Sequence, residues 1–265
     1  VARLFGVLLV LMLSVAFVFA DEPAGAPRAS ATTTYTLYLP MVARQACAPI
    51  AGETYGTVAV LSAPTNPPAA VHPDLNLAMR GYALTTGTLG LVDYDGHADP
   101  GAPQLYTLFS DNRVPSFSAV YRVYDWDWGN NRRGALIDDP PVTLAGMVVA
   151  PNEIIRVPAS NYDIGLRTTG YEVMVLYATP NRITLKYTRE DNVVNGYTIH
   201  IENICVEPNL VALYDAMNAA GRARLPALFA GQGIGRAITT EIGVAIRDTG
   251  SFMDPRSRKD WWQGK

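Results

Sequence analysis

A succession of strand-length runs beginning at Cys47 constrains this chain more than any other feature. "YGTVAVLSA" (55–63), "FSAVYRVYDW" (117–126), "VTLAGMVVA" (142–150), "YEVMVLYA" (171–178), "RITLKYT" (182–188), "GYTIHIENI" (196–204) and "EIGVAIRD" (241–248) are rich in β-branched and aromatic residues. Gly, Pro and Asn punctuate them, the pattern expected of strands joined by turns. "ATPNR" between two of them has the chemistry of a hairpin turn. A single segment, "EPNLVALYDAMNAAGR", reads as a helix: Leu210, Leu213, Tyr214 and Met217 recur at helical spacing, with Pro208 near its start and Gly221 near its end. No repeat of fixed period is present. The predicted fold class is mainly β: one β-rich domain over 47–265, with one substantial helix and a large insertion at roughly 80–165.

The residues before Cys47 have a different character. Arg3 followed by an almost unbroken apolar run to Phe19, with small residues at Val18 and Ala20, has the pattern of a signal peptide over 1–20. The alternative is a membrane anchor, but the run is shorter than the roughly 20 residues that span a bilayer. Residues 21–46 open with the Ala/Pro/Thr-rich "DEPAGAPRASATTT", a flexible leader that cannot bury a core. The "YTLYLPMVARQ" that follows resembles a segment found after signal peptides in secreted bacterial proteins. Secretion to the cell surface or medium is the expectation, with no transmembrane segment left after cleavage. The chain carries 21 basic and 24 acidic residues, a net charge of −3, with no basic tract, which argues against nucleic acid as a partner. The two cysteines, Cys47 and Cys205, are expected to pair in an oxidising compartment; two buried free thiols are the alternative.

Only three histidines occur, His72, His97 and His200, so histidine-dependent chemistry has few sources. "VHPDLNLAMRGY" sets His72 four residues before Asn76, with Asp74 between. Far downstream come "AGQGIGRA" (230–237) and "EIGVAIRDTGSFMDP" (241–255). Together these resemble the zinc motifs of lysostaphin-type endopeptidases. The resemblance implies a β-hairpin scaffold in which His72 and Asn76 occupy the first ligand pair. Glu241 then stands at the catalytic histidine, Gly243 at the second histidine ligand, and His200 at an additional active-site histidine. A second alignment makes His200 the ligand and puts Thr198 in place of the base. Under either, a ligand or the base is missing, and glycine has no side chain to offer zinc. The bland reading of His72 is a loop histidine beside Pro73.

Three further stretches carry candidate chemistry. "DYDGHADPG" packs Asp93, Asp95 and Asp99 around Gly96, suited either to Ca²⁺ or to an ordinary Asx-rich turn. "YDWDWGNN" interleaves aromatics with carboxylates and amides. Tyr124, Trp126, Asp127, Trp128 and Asn130 form a candidate saccharide-binding edge; the alternative is a strand whose two tryptophans share one inward face. The aromatic C-terminus "DPRSRKDWWQGK" is expected to dock on its own domain. No nucleophile elbow, Walker loop or dinucleotide fingerprint is present. Paired carboxylates for glycoside hydrolysis stay open, because sequence does not give their separation.

The expectation is a secreted, non-catalytic binding protein of the cell envelope or extracellular matrix, directed at a glycan or cell-wall polymer such as peptidoglycan. The alternatives are a secreted hydrolase (a zinc peptidase with substituted ligands, or a carboxylate glycosidase) and a structural or adhesive surface protein. Enzymatic function is the less favoured reading. No cofactor is expected: calcium is the one metal left open, and zinc is disfavoured.

Overall fold

Alternation along the strands decides the architecture, because successive side chains point to opposite faces of a sheet. The computed structural model describes residues 47–165 and 170–265, which belong to one compact unit. The expected signal peptide over 1–20 and leader over 21–46 lie outside the described residues.

In chain order the strands are β1 (Gly56–Ala59), β2 (Tyr82–Thr85), β3 (Phe117–Asp127), β4 (Arg132–Leu136), β5 (Leu144–Val148), β6 (Ile154–Arg156) and β7 (Tyr171–Thr179). There follow β8 (Arg182–Lys186), β9 (Tyr197–Glu202), β10 (Ile204–Val206), β11 (Arg224–Phe229), β12 (Gly233–Ala237), β13 (Glu241–Asp248) and β14 (Ser251–Met253). The helices are α1 (Leu77–Arg80), α2 (Pro208–Ala219) and α3 (Arg258–Trp261). The fold is mainly β, with α2 the one substantial helix among the described residues.

Eleven strands form one antiparallel sheet in the order β1-β11-β7-β8-β9-β13-β5-β3-β2, with β14 added to β13 and β4 to β3. A three-stranded sheet, β10-β12-β6, packs onto the same core. Asn203 separates the two sheets: its φ of 62° bends the chain between β9 and β10, a conformation asparagine tolerates better than most residues. Residues 80–165 supply β2 to β6, so the region read as an insertion is woven into both sheets.

The register stacks apolar residues on one face. Ile183 and Leu185 pair with Ile201 and Ile199, which in turn face Val244 and Ile246; Ile242 faces Met147. All are buried in the main core. Helix α2 closes part of that core with Leu210 and Tyr214. Its N-terminus is capped by the Glu207 carboxylate, which accepts from the Leu210 amide at 2.9 Å, and Pro208 occupies the first turn, where no amide is needed. Gly221, at φ 89°, ends it, and the next residue, Arg222, turns back to pair with the buried Asp191 at 2.6 Å.

Both ends of the unit are fastened. Cys47 is disulfide-bonded to Cys205 on β10, with Cα atoms 5.5 Å apart. The C-terminus docks as expected from its aromatic content: Trp261 and Trp262 are buried, and their indole nitrogens donate to the carbonyls of Asp254 and Pro255, each at 2.9 Å. Among the described residues no helix is long and apolar enough to cross a membrane.

Candidate functional site

The other face of the large sheet is polar, and register organises it into cross-strand rows. Lys186, Thr198 and Arg247 form one row, Thr184, His200 and Ala245 the next, and Arg182, Glu202, Gly243 and Gly146 the third. The first two rows are roofed by residues 72–80 and by Phe252 of β14. Thr184 donates its hydroxyl to the Leu75 carbonyl at 2.6 Å, Asp74 pairs with Arg247 at 2.8 Å, and Arg247 stacks over the Phe252 ring. These rows are buried, where polar groups are costly without partners; Thr198 Oγ1 and His200 Nε2 have none among the described residues.

The third row borders a cleft, although Glu202, Gly243 and Gly146 within it are themselves buried. Its strands end in a cleft of about 230 Å³ lined by Tyr82, Tyr121, Leu144, Asn181, Arg182, Glu202, Asn203, Glu241 and Gly243. The floor exists because two glycines face each other: Gly243 on β13 pairs with Gly146 on β5. A Cβ on Gly146 would stand 2.7 Å from Oε2 of Glu241, and one on Gly243 would press on Leu144 and Glu202. Glycine at both positions opens the trough and gives the Glu241 carboxylate its place.

The two carboxylates of the cleft have unlike surroundings. Glu241 accepts hydrogen bonds from the hydroxyls of Ser118 and, at 3.1 Å, Tyr121. Glu202 is only 4 % exposed, and its one charged neighbour, Arg182, stands 3.4 Å away. Burial raises the Glu202 pKa above the usual carboxylate value, with Arg182 opposing. Tyr121 is pushed up to about 12 by burial and by the adjacent Glu241, so its phenol is a neutral donor. Tyr82 meets Tyr121 edge to face at 5.3 Å, forming an aromatic wall beside the carboxylates.

The residues singled out from the sequence fall in several places. His72 accepts the Asp74 amide on Nδ1 at 3.1 Å and meets Trp128 edge-on. Asp74 is the shared anion of Arg80 and Arg247, at 2.7 and 2.8 Å; burial opposes its ionisation, but the two arginines hold its carboxyl below the usual range. Asn76 caps α1 through the Ala78 amide and also receives Arg182. Each member of the zinc-like motif thus has a structural role. His200 is fully buried and stacked on Phe252. The Thr184 hydroxyl proton is committed to Leu75, so Nδ1 of His200 donates to Thr184 at 3.1 Å and Nε2 carries no proton. Burial lowers its pKa to about 3, which keeps it neutral.

The aspartates read as a calcium candidate are spread out: Asp93 pairs with Arg258 at 2.8 Å, Asp95 is exposed, and Asp99 accepts from the Gly101 amide and the Tyr197 hydroxyl. Among the described residues no three His, Cys, Asp or Glu side chains form a group able to hold a metal ion. The two tryptophans of the proposed saccharide edge do not share a face. Strand β3 ends at Asp127, so Trp126 is buried at 7 % exposure while Trp128, in the turn, is 53 % exposed. Asp127 and Asn130 are spent on that turn, the carboxylate accepting both the Asn130 amide and its side chain, and Arg133 stacks over Tyr124.

Comparison with known proteins adds no relative. The chain matches no family model, no curated protein and no solved structure. Function therefore rests on the geometry of its own residues. Of the positions read from sequence, Glu241 and Gly243 lie in the cleft. Glu202, Tyr82, Tyr121 and Arg182 were missed there, although a signal existed. In "YTIHIE" the polar Thr198, His200 and Glu202 alternate with Ile199 and Ile201, the mark of a strand with a second, polar face.

Proposed function

We propose that this chain is a secreted saccharide-binding protein and that its ligand occupies the Glu202–Glu241 cleft rather than the Trp126–Trp128 turn. The observation that carries this reading is a cleft that combines an aromatic wall, carboxylates and amides on rigid strands. Such a set matches a sugar ring, whose apolar face packs on aromatics while its hydroxyls need acceptors and donors. At about 230 Å³ the cleft is smaller than the roughly 300–1,000 Å³ of pockets for drug-sized ligands, which suits one sugar ring or a chain end. The apolar N-terminal run and the Cys47–Cys205 disulfide support an extracellular setting, where a cell-envelope or matrix glycan is the natural ligand.

Calorimetric titration with soluble chito-, cello- and xylo-oligosaccharides and with muropeptides tests it. Wild type is expected to bind at least one of these, Gly243→Val to lose it by filling the floor, and Trp128→Ala to keep it. Loss of binding in Trp128→Ala with retention in Gly243→Val returns the site to the turn. No binding by wild type leaves the structural or adhesive reading.

A further inference from the structure

We propose that the cleft hydrolyses the glycosidic bond it binds, with Glu202 as proton donor to the leaving oxygen and Glu241 as the base that activates water. The inference rests on the saccharide reading above and extends it from binding to turnover.

Three observations carry it. The first is placement. Gly243 is the register partner of Glu202, so Glu241, two residues away on β13, is its diagonal neighbour on the same face. Diagonal backbone positions lie about 7–8 Å apart. Glutamate side chains from such positions reach the roughly 5–9.5 Å separations at which carboxyl pairs break glycosides. The second is contrast. Glu241 takes two hydroxyl donors, which stabilise an anion, whereas Glu202 is enclosed and has one long contact to a cation. Enclosure favours the neutral acid, and the direction of the Glu202 shift agrees. Two carboxyl groups in such unlike surroundings can divide the acid and base roles. The third is room: both carboxylates line the same cleft of about 230 Å³, the size of a single sugar ring.

The step balances with water as the only co-reactant. The Glu202 carboxyl proton passes to the glycosidic oxygen as its bond to the anomeric carbon breaks. The water oxygen bonds to that carbon, and its released proton passes to the Glu241 carboxylate. The products are a free hemiacetal and an alcohol. Glu202 ends ionised and Glu241 protonated, and proton exchange with solvent restores both.

The full chain is incubated with each oligosaccharide found to bind, and products are followed by mass and by reducing ends. The expected result is cleavage with a gain of one water. Glu202→Gln and Glu241→Gln should each lower the rate by about 10²-fold or more, as for loss of an acid or base, while the oligosaccharide still binds. A bound oligosaccharide recovered intact from wild type after prolonged incubation overturns hydrolysis and leaves the binding reading standing. Wild-type rates in both folded variants overturn the assignment of Glu202 and Glu241. If no oligosaccharide binds, the saccharide reading falls and this inference falls with it.

Discussion

Glu202 and Glu241 share one face of the large sheet because Gly243, two residues beyond Glu241, pairs with Glu202 across β9 and β13. Their separation in sequence is therefore irrelevant to their separation in space. The opposing glycines, Gly243 and Gly146, leave room on this face for the side chains of Glu241 and Leu144, and both carboxylates line the cleft beside them.

The trough should be sensitive to a single methyl group. In Gly146→Ala the new Cβ would lie 2.7 Å from Oε2 of Glu241 and 3.0 Å from Oγ of Ser118, so the carboxylate must leave its hydroxyl donors. Saccharide affinity should fall at least tenfold in titration while the thermal midpoint moves by only a few degrees. Unchanged affinity would remove Glu241 from the site.

The two tryptophans of the β3–β4 turn should separate cleanly. Trp126→Ala deletes a buried aromatic and should cost about 3–5 kcal/mol of stability. Trp128→Ala, at an exposed turn position, should stay within about 1 kcal/mol of wild type. Urea melts of both variants measure the difference.

Asp74 should be a structural anion. It neutralises Arg80 and Arg247 beneath the loop that roofs the polar rows. Asp74→Ala leaves two buried guanidiniums short of their partner and should cost about 3–5 kcal/mol, the range for breaking a buried pair. The test is the melt of the variant beside metal analysis of wild type. Stoichiometric zinc in wild type that is lost with Asp74 would restore the peptidase reading.

His200 should give the fold an acid-sensitive limb. Its folded pKa of about 3 lies below the ordinary 6.5, so the unfolded chain takes up a proton that the folded chain refuses. The contribution is fully present above pH 6.5 and is lost as pH falls towards 3, on the order of 5 kcal/mol in total. Asp74 adds to acid loss only below its ordinary 3.8. Urea melts between pH 4 and 7 should therefore show a slope that flattens in His200→Gln.

Lys186 should do the same on the alkaline side. Burial lowers its pKa to about 8, where the ordinary value is 10.5. Between these values only the unfolded chain holds the proton, so stability from this group rises with pH and a fixed cost remains below 8. Lys186→Met, which forgoes the bond to the Asn195 carbonyl, should remove the rise between pH 8 and 10. A rise that persists would exclude Lys186 as its source.

The sequence by itself determined the β class, the positions of β3, β7, β8, β9 and β13, the α2 helix, the Cys47–Cys205 pairing and the docking of the tryptophan tail, but not the six-residue β11 or the break between β9 and β10 at Asn203. These follow from local rules: β-branched runs, helical spacing with Pro208 and Gly221 at the ends, two thiols, and aromatics too large to leave in water. The shorter strands, such as β2, β6 and β14, span too few residues for a period to register, and they form only because a neighbour offers an edge. The resemblance to lysostaphin-type endopeptidases implied that His72, Asn76 and Glu241 act together, but partners decide roles. His72 and Asn76 became caps once residues 72–80 folded over the sheet, and His200 became a buried neutral ring. The strand end at Asp127 split Trp126 from Trp128, which alternation alone would have kept together. Only antiparallel register, a relation between distant segments, could bring Glu202, Glu241, Tyr82 and Tyr121 to one cleft. No local periodicity records which strands will be neighbours.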